Sequence, residues 1–199
     1  GLGDVYKRQP ITLISGKSPF CETFFDSVEV SKDNLVGELN AGWTIAKKLL
    51  QHERKFISNF GLAAAMGSKK DVVSLAKKHF GEDEGKISNP IFRSKVIDHK
   101  MKEHAFGLTL QRASDEGGKA SAVASMFKYY GTEHNKRRHE LMVAASGVNG
   151  LAWDGNEFDD SEKNLTRAWL RTKGNSLEGG TSEVQLNVIS KRVLELPSG

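Results

Sequence analysis

Two stretches of the sequence place reactive or anion-binding groups at spacings that chemistry can use. The first is Gln51-His52-Glu53-Arg54, four polar residues set into the apolar stripe of a helical segment. A carboxylate at Glu53 turned toward a bundle interior or cleft loses water, its proton affinity rises, and it can serve as a general base near neutral pH. Read by itself, the same residue is also a solvated helix carboxylate beside a structural Arg. The second stretch is Leu177-Glu178-Gly179-Gly180-Thr181-Ser182-Glu183-Val184-Gln185, a double glycine leading into Ser-x-x-Gln. That pattern is a capping box opening the last helix. At such a terminus the amides of Gly180, Thr181 and Ser182 lack helical partners, and the missing side chains at Gly179 and Gly180 let a diphosphate approach closely. The plainer reading is a tight turn into a capped helix. His134 and Arg138 fall near the inner face of another helix, where a structural hydrogen-bonding role is expected.

Other chemistries are excluded by what the spacing lacks. The residues three before His52, His79, His99, His104, His134 and His139 are Leu49, Ala76, Val96, Met101, Gly131 and Lys136. No Glu-x-x-His pair exists, so no di-iron site of the bundle type is expected, and no metal. Neither G-x-G-x-x-G nor G-x-x-x-x-G-K-[ST] occurs. The lone Cys21 can form neither an internal disulfide nor a cysteine zinc cluster, which favours a reducing compartment: bacterial cytoplasm or mitochondrial matrix. The chain of 199 residues carries a net charge of +4, spread along its length and densest at Lys136-Arg137-Arg138. With no interleaved aromatics this basic turn is a solvated face, and no nucleic-acid partner is expected. No apolar run approaches the ~18 residues of a membrane span.

The elements that must position these groups are mostly helical. Residues 1–9 read as a non-native leader without strand alternation. Ile11 to Ile14 and Phe20 to Val30 are β-prone and separated by turn formers, giving two short strands. After Gly42 the apolar period becomes helical: Ile45, Leu49, Phe56, Phe60 and Ala64 line a helix expected over 41–80, followed by a loop over 81–90. A second helix runs over 91–116 with its stripe at Ile97, Met101, Ala105 and Leu108. A third covers 119–146 with Ala120, Val123, Phe127, Tyr130, Leu141 and Ala145 inside. A loop over 147–160, a short helix over 161–171 and a last helix over 182–196 bearing Val184, Val188 and Val193 complete the chain. Long amphipathic helices joined by short loops predict a mainly α fold, an up-and-down four-helix bundle over 39–199, preceded by the remnant of a β domain over 10–38.

Taken in order, Phe24-Phe25-Asp26-Ser27-Val28-Glu29-Val30, Asn34-Leu35-Val36-Gly37-Glu38, Asn40-Ala41-Gly42-Trp43, Leu49-Leu50-Gln51-His52-Glu53-Arg54, Gly179-Gly180-Thr181-Ser182-Glu183-Val184-Gln185 and Lys191-Arg192-Val193-Leu194 closely resemble the acyl-CoA dehydrogenase family. The resemblance covers residues 11–197 and is loose over 80–158. It implies a truncated chain, the end of the middle β domain plus the C-terminal bundle, from a flavoprotein that removes the α-proton of an acyl-CoA thioester with a carboxylate and passes the β-hydrogen as hydride to FAD. Many members carry the base immediately before the Gly-Thr of the last loop. That position here is Gly179, with Glu178 one residue too early. A second group places it on the first bundle helix, which points to Glu53 as base with Arg54 toward the substrate. Gly180, Thr181, Ser182 and Glu183 then correspond to flavin-diphosphate contacts, and Gly147 in Ser146-Gly147-Val148-Asn149-Gly150 to a contact with the flavin of a neighbouring subunit. The resemblance further implies an electron-transfer flavoprotein or similar acceptor and a homo- or hetero-oligomer, dimer or tetramer. Its alternatives are a non-catalytic partner subunit of a heteromeric enzyme, or a related acyl-CoA oxidase.

Overall fold

The computed structural model describes residues 6–50, 52–53, 71–115 and 121–197. They fall into two compact units, residues 1–56 and 57–199.

In the first unit β1 (Tyr6–Ile11) and β2 (Phe20–Phe25) form an antiparallel ribbon, Tyr6 opposite Phe25 and Ile11 opposite Phe20. The first strand therefore starts well before Ile11 and takes in residues expected to have no strand structure. Pairing sets its state: each residue of Tyr6–Ile11 stands opposite one on β2, and alternate pairs exchange backbone hydrogen bonds, whatever the local side-chain alternation. Both faces of β2 are exposed. The second strand is also shorter than expected, because Ser27 turns the chain at φ +53. After a 3₁₀ turn at Lys32–Asn34, capped by the Ser31 hydroxyl, residues 42–50 and 52–53 are helical, here α1. Leu49, expected inside, is 68 % exposed.

The first described helix of the second unit is α2 (Val72–Phe80), whose N-cap Asp71 has extended backbone at φ −92, ψ 134. A helix thus begins afresh at Val72, and the expected continuous helix over 41–80 is interrupted. Gly81 ends α2 at φ +82. The expected loop after it holds a small hairpin, β3 (Glu82–Asp83) and β4 (Lys86–Ile87), turned at Glu84 (φ +45) and Gly85 (φ +78). Positive φ at both turn residues matches the right-handed twist of paired strands.

The Asn89 side chain then accepts the Phe92 amide at 2.9 Å, and Pro90 occupies the first position of α3 (Pro90–Asp115). A proline costs nothing there because that amide is orphaned in any helix. Next come α4 (Ser121–Ala145), a 3₁₀ turn at Gly147–Leu151, and α5 (Asp160–Thr172). Asp159 and Glu162 form a reciprocal capping box at the start of α5. A 3₁₀ turn at Lys173–Ser176 leads to α6 (Ser182–Val188), which runs on into a π-helical turn at Ile189–Val193.

The central helix is α4, touching α2, α3, α5 and α6. The core consists of Val72, Ala76, Ile87, Phe92, Val96, Leu141, Met142, Ala145 and Leu165, with Phe80 and Phe92 in ring contact at 4.7 Å. Leu141 and Ala145 are buried as expected. The α3 stripe is not: Ile97 is 51 % and Met101 68 % exposed, while Phe92, Val96 and His99 face inward. This helix is apolar on two faces, and the one that packs repeats at 92, 96, 99 and onward to Phe106, which meets Tyr130 of α4 at 5.1 Å. On α6, likewise, Val184 is exposed and Ser182 and Gln185 are buried.

Candidate functional site

The double-glycine turn and the first residues of α6 form one continuous site. Gly179 and Gly180 both lie in the left-handed region, at φ +67 and +93. A β-carbon on Gly180 would stand 2.5 Å from Nε2 of Gln185, and that nitrogen donates to the Gly179 carbonyl at 3.3 Å. The N-cap is Thr181, whose hydroxyl accepts the Val184 amide at 3.2 Å. The cap therefore sits one residue before the expected Ser182, and Gln185 closes the glycine turn instead of completing a capping box. Ser182 becomes the first helical residue, buried, with an Oγ that has no hydrogen-bond partner. Glu183 is exposed in the first turn, its carboxyl held below the ordinary range by its own amide and by Thr181.

Polar residues of α4 hold the segment leading into this turn. Lys128 donates to the Asn175 carbonyl at 3.0 Å, Asn135 to the Asn175 side chain at 3.1 Å, and Lys136 to the Ser176 hydroxyl at 2.8 Å. Ser176 in turn donates to Glu133 at 3.1 Å, and Lys173 reaches Glu140 at 2.9 Å. The basic residues that look like a plain solvated patch in sequence include, in Lys136, a clamp on the loop.

Glu178 is already engaged. Arg171 donates to it at 2.7 Å and Asn175 donates to its other oxygen. Burial raises its proton affinity, but Arg171 and Asn175 outweigh that and leave the carboxyl below its ordinary range. A carboxylate so held is a weak proton acceptor.

Gly147, at φ +56 with open space around it, begins the 3₁₀ turn between α4 and α5. That turn is pinned by Asn149 to Glu162 at 2.8 Å and by the Thr166 hydroxyl to the Gly150 carbonyl at 2.9 Å. Beyond it, the Arg167 guanidinium lies 3.9 Å over the Trp153 ring. Glu53 is helical and exposed on α1 in the first unit. Arg54 lies outside the described residues. Gly180, Thr181, Ser182 and Glu183 are thus brought together, while Gly147 stands on its own connection and Glu53 in the other unit.

In the hydrogen-bonding role expected for His134 the Nε2 atom takes no part: it is buried with no partner, as is Nδ1 of His99. The two rings stack at 4.0 Å and 6°. Burial, with the neighbouring His134, pushes His99 down to about 4, and burial lowers His134 as well. No spacing rule within a single helix reveals this pair, because it joins α3 to α4. Among the described residues, no helix is long and apolar enough to cross a membrane.

Comparison with known proteins covers both units. Residues 40–194 match the family model of the acyl-CoA dehydrogenase C-terminal domain. The acyl-CoA dehydrogenase IpdE1 of Mycobacterium tuberculosis is 27 % identical over 190 residues, which are 95 % of this chain and 47 % of that protein. Among solved structures, the Tcur3481-Tcur3483 steroid ACAD superposes with a TM-score of 0.76 at 22 % identity, over 98 % of this chain and 50 % of that one. The ChsE4-ChsE5 complex from Mycobacterium tuberculosis gives 0.74 at 22 % identity, over 98 % and 50 %. The chain spans about half the length of the relatives it matches.

Proposed function

The chain belongs to the acyl-CoA dehydrogenase family, and from that premise we propose that the protein of which it forms the C-terminal portion dehydrogenates an acyl-CoA thioester between its α and β carbons using FAD. The observation that supports flavin binding most directly is at the start of α6. The unpartnered Ser182 Oγ, two glycines with positive φ and the amides of the first helical turn lie together where a side chain on Gly180 would intrude. Buried polar groups call for partners, and helix N-terminal amides favour anions, so these residues fit a diphosphate.

In this reading Gly180, Thr181 and Ser182 donate to the flavin diphosphate, and Glu183 contributes its backbone amide. Gly147 contacts the flavin of a neighbouring subunit. Bound FAD supplies the hydride acceptor. Glu53 takes the α-proton, Arg54 is assigned to the substrate, and Glu178 stays paired with Arg171. Residues 10–38 are the end of a β domain and 39–199 the helical domain. Exposed Ile97, Met101 and Leu108 on α3 are the face that a second subunit covers. Electrons leave to an electron-transfer flavoprotein or a similar acceptor.

The test is an absorbance spectrum of the complete protein, followed by anaerobic addition of acyl-CoA thioesters. Flavin absorption that bleaches with one thioester is the expected result. Glu53→Gln should keep the flavin and lower turnover by ~10² to 10⁴. A protein that stays colourless with added FAD overturns the reading, and unchanged turnover in Glu53→Gln removes that residue from the base role.

A further inference from the structure

His99 and Glu103 stand one helical turn apart on α3, and His134 comes across from α4. One nitrogen of each histidine and one carboxylate oxygen of Glu103 all lie within 4.8 Å of one another. We propose that His99, Glu103 and His134 form a divalent-metal site of the two-histidine, one-carboxylate type, which takes a borderline first-row cation of the zinc class and clasps α3 to α4.

Three observations converge. First, two histidines and a carboxylate are one of the ligand sets zinc takes when three protein groups leave a fourth position open to water. Around a tetrahedral ion with bonds of ~2.0 Å, ligand atoms stand about 3.3 Å apart. The present spread must therefore close by up to roughly an ångström and a half, which calls for the side-chain torsions to turn. Secondly, Nδ1 of His99 and Nε2 of His134 are buried and bound to nothing, and His99 is only 2 % exposed. A buried imidazole nitrogen without a partner is costly, and a cation would satisfy it. Burial also keeps both rings neutral, which is the ligating form.

Thirdly, Glu103 can be released to an ion. Its partner Lys100, at 2.7 Å, also reaches Asp71 at 3.4 Å and keeps that contact if Glu103 turns away. The parallel stacking of the rings is the metal-free arrangement. On binding, one ring must turn so that both in-plane lone pairs point to the ion. The site shares no residue with the proposed flavin contacts, and its test does not depend on activity.

The untagged chain, stripped with EDTA and dialysed, is titrated with Co(II) followed by visible absorption, and with Zn(II) against a chromophoric chelator. One equivalent of Co(II) with the intense bands of low coordination is expected, displaced by Zn(II) and not by Mg(II) or Ca(II), which prefer all-oxygen shells. Glu103→Gln and His134→Ala should each weaken binding by more than ~100-fold, the upper range for loss of an outer-shell partner alone. His104→Ala, an exposed histidine on the same helix, should leave binding unchanged. Far-UV circular dichroism checks the fold of each variant. If His134→Ala unfolds, the partly exposed Glu103→Gln decides alone. Absence of the Co(II) equivalent, or its retention in Glu103→Gln, overturns the proposal.

Discussion

The side-chain amide of Gln185 bridges the turn that opens α6: Nε2 donates to the Gly179 carbonyl at 3.3 Å and fills the space a β-carbon on Gly180 would need, 2.5 Å away. Gly180→Ala therefore meets two obstacles, a left-handed backbone at φ +93 and that amide. Each such strained position costs ~1–3 kcal/mol. Thermal unfolding should show a loss of several degrees. Adding Gln185→Ala to Gly180→Ala should recover part of it, because the steric obstacle goes while the backbone strain stays. A double variant no more stable than Gly180→Ala alone would refute this account of the turn.

Thr181 caps α6, so Thr181→Ala should destabilise by ~0.5–2 kcal/mol and Thr181→Ser by much less. Ser182→Ala should cost little in stability, because its Oγ bonds to nothing in the protein. It should instead weaken FAD binding in the complete protein if that hydroxyl meets the diphosphate. Unfolding curves and flavin titrations of the same variants separate the two roles.

Arg171 and Asn175 keep the Glu178 carboxyl below its ordinary range against the opposing effect of burial. Removing the guanidinium in Arg171→Ala leaves burial less opposed, so the Glu178 pKa should rise, as followed by carboxyl NMR titration. The stability cost should stay within ~1 kcal/mol, because both side chains are over a third exposed and solvent screens the pair. An unmoved titration would show that Asn175 and the Lys128 charge hold the carboxyl low without the guanidinium.

The helices expected over 91–116, 119–146, 161–171 and 182–196 were legible from their apolar period, while the single helix expected over 41–80 was not. The caps that fix the starts of α3 and α5, Asn89 before Pro90 and the Asp159–Glu162 box, came from the structure and place each start one residue earlier than expected. The packed faces were harder to read. Helix α3 carries Ile97, Met101 and Leu108 on one side and Phe92, Val96 and Phe106 on another, and period alone does not say which side meets α4. Gly131 shows what resolves it: a β-carbon there would stand 3.2 Å from Phe106, a contact across two helices that no single-helix pattern contains. The glycine turn was recognisable as a motif, whereas its clamp from α4, through Lys128, Asn135 and Lys136, joins residues about 40 apart in sequence. Periodicity marked Glu53 as a carboxylate within an apolar stripe, whereas its choice as the base and the acyl-CoA chemistry came through family resemblance.

Gly150 and Gly147 lie three residues apart in one turn and should respond differently to alanine. A β-carbon on Gly150 would run into the Val143 carbonyl, which is backbone and cannot swing aside. Gly147 has nothing within 4 Å and bears only the cost of its φ of +56. Gly150→Ala should therefore lose ~1–3 kcal/mol through overpacking, shifting the turn off Thr166. Gly147→Ala should lose no more than ~1–2 kcal/mol, the cost of a left-handed residue. Equal losses in thermal unfolding would mean that the turn yields freely around Gly150.

Stability of the metal-free chain should fall with pH below the ordinary histidine range. Burial is the main cause that pushes His99 down to about 4; His134, Lys100 and Arg138 act in the same direction, and Glu103 opposes them. Between its unfolded value of about 6.5 and that folded value, the unfolded chain holds a proton that the folded chain does not. More protons on the unfolded state make stability rise with pH, by up to ~1.4 kcal/mol per pH unit for one site. The contribution is complete above about pH 6.5 and is lost as pH falls toward 4. His134, also lowered by burial, adds to the slope in the same sense. Urea midpoints measured with EDTA from pH 7 down to 4.5 should decline, and His99→Gln should flatten the decline by up to one proton's worth. An unchanged slope in that variant would assign the acid sensitivity to groups outside the α3–α4 contact.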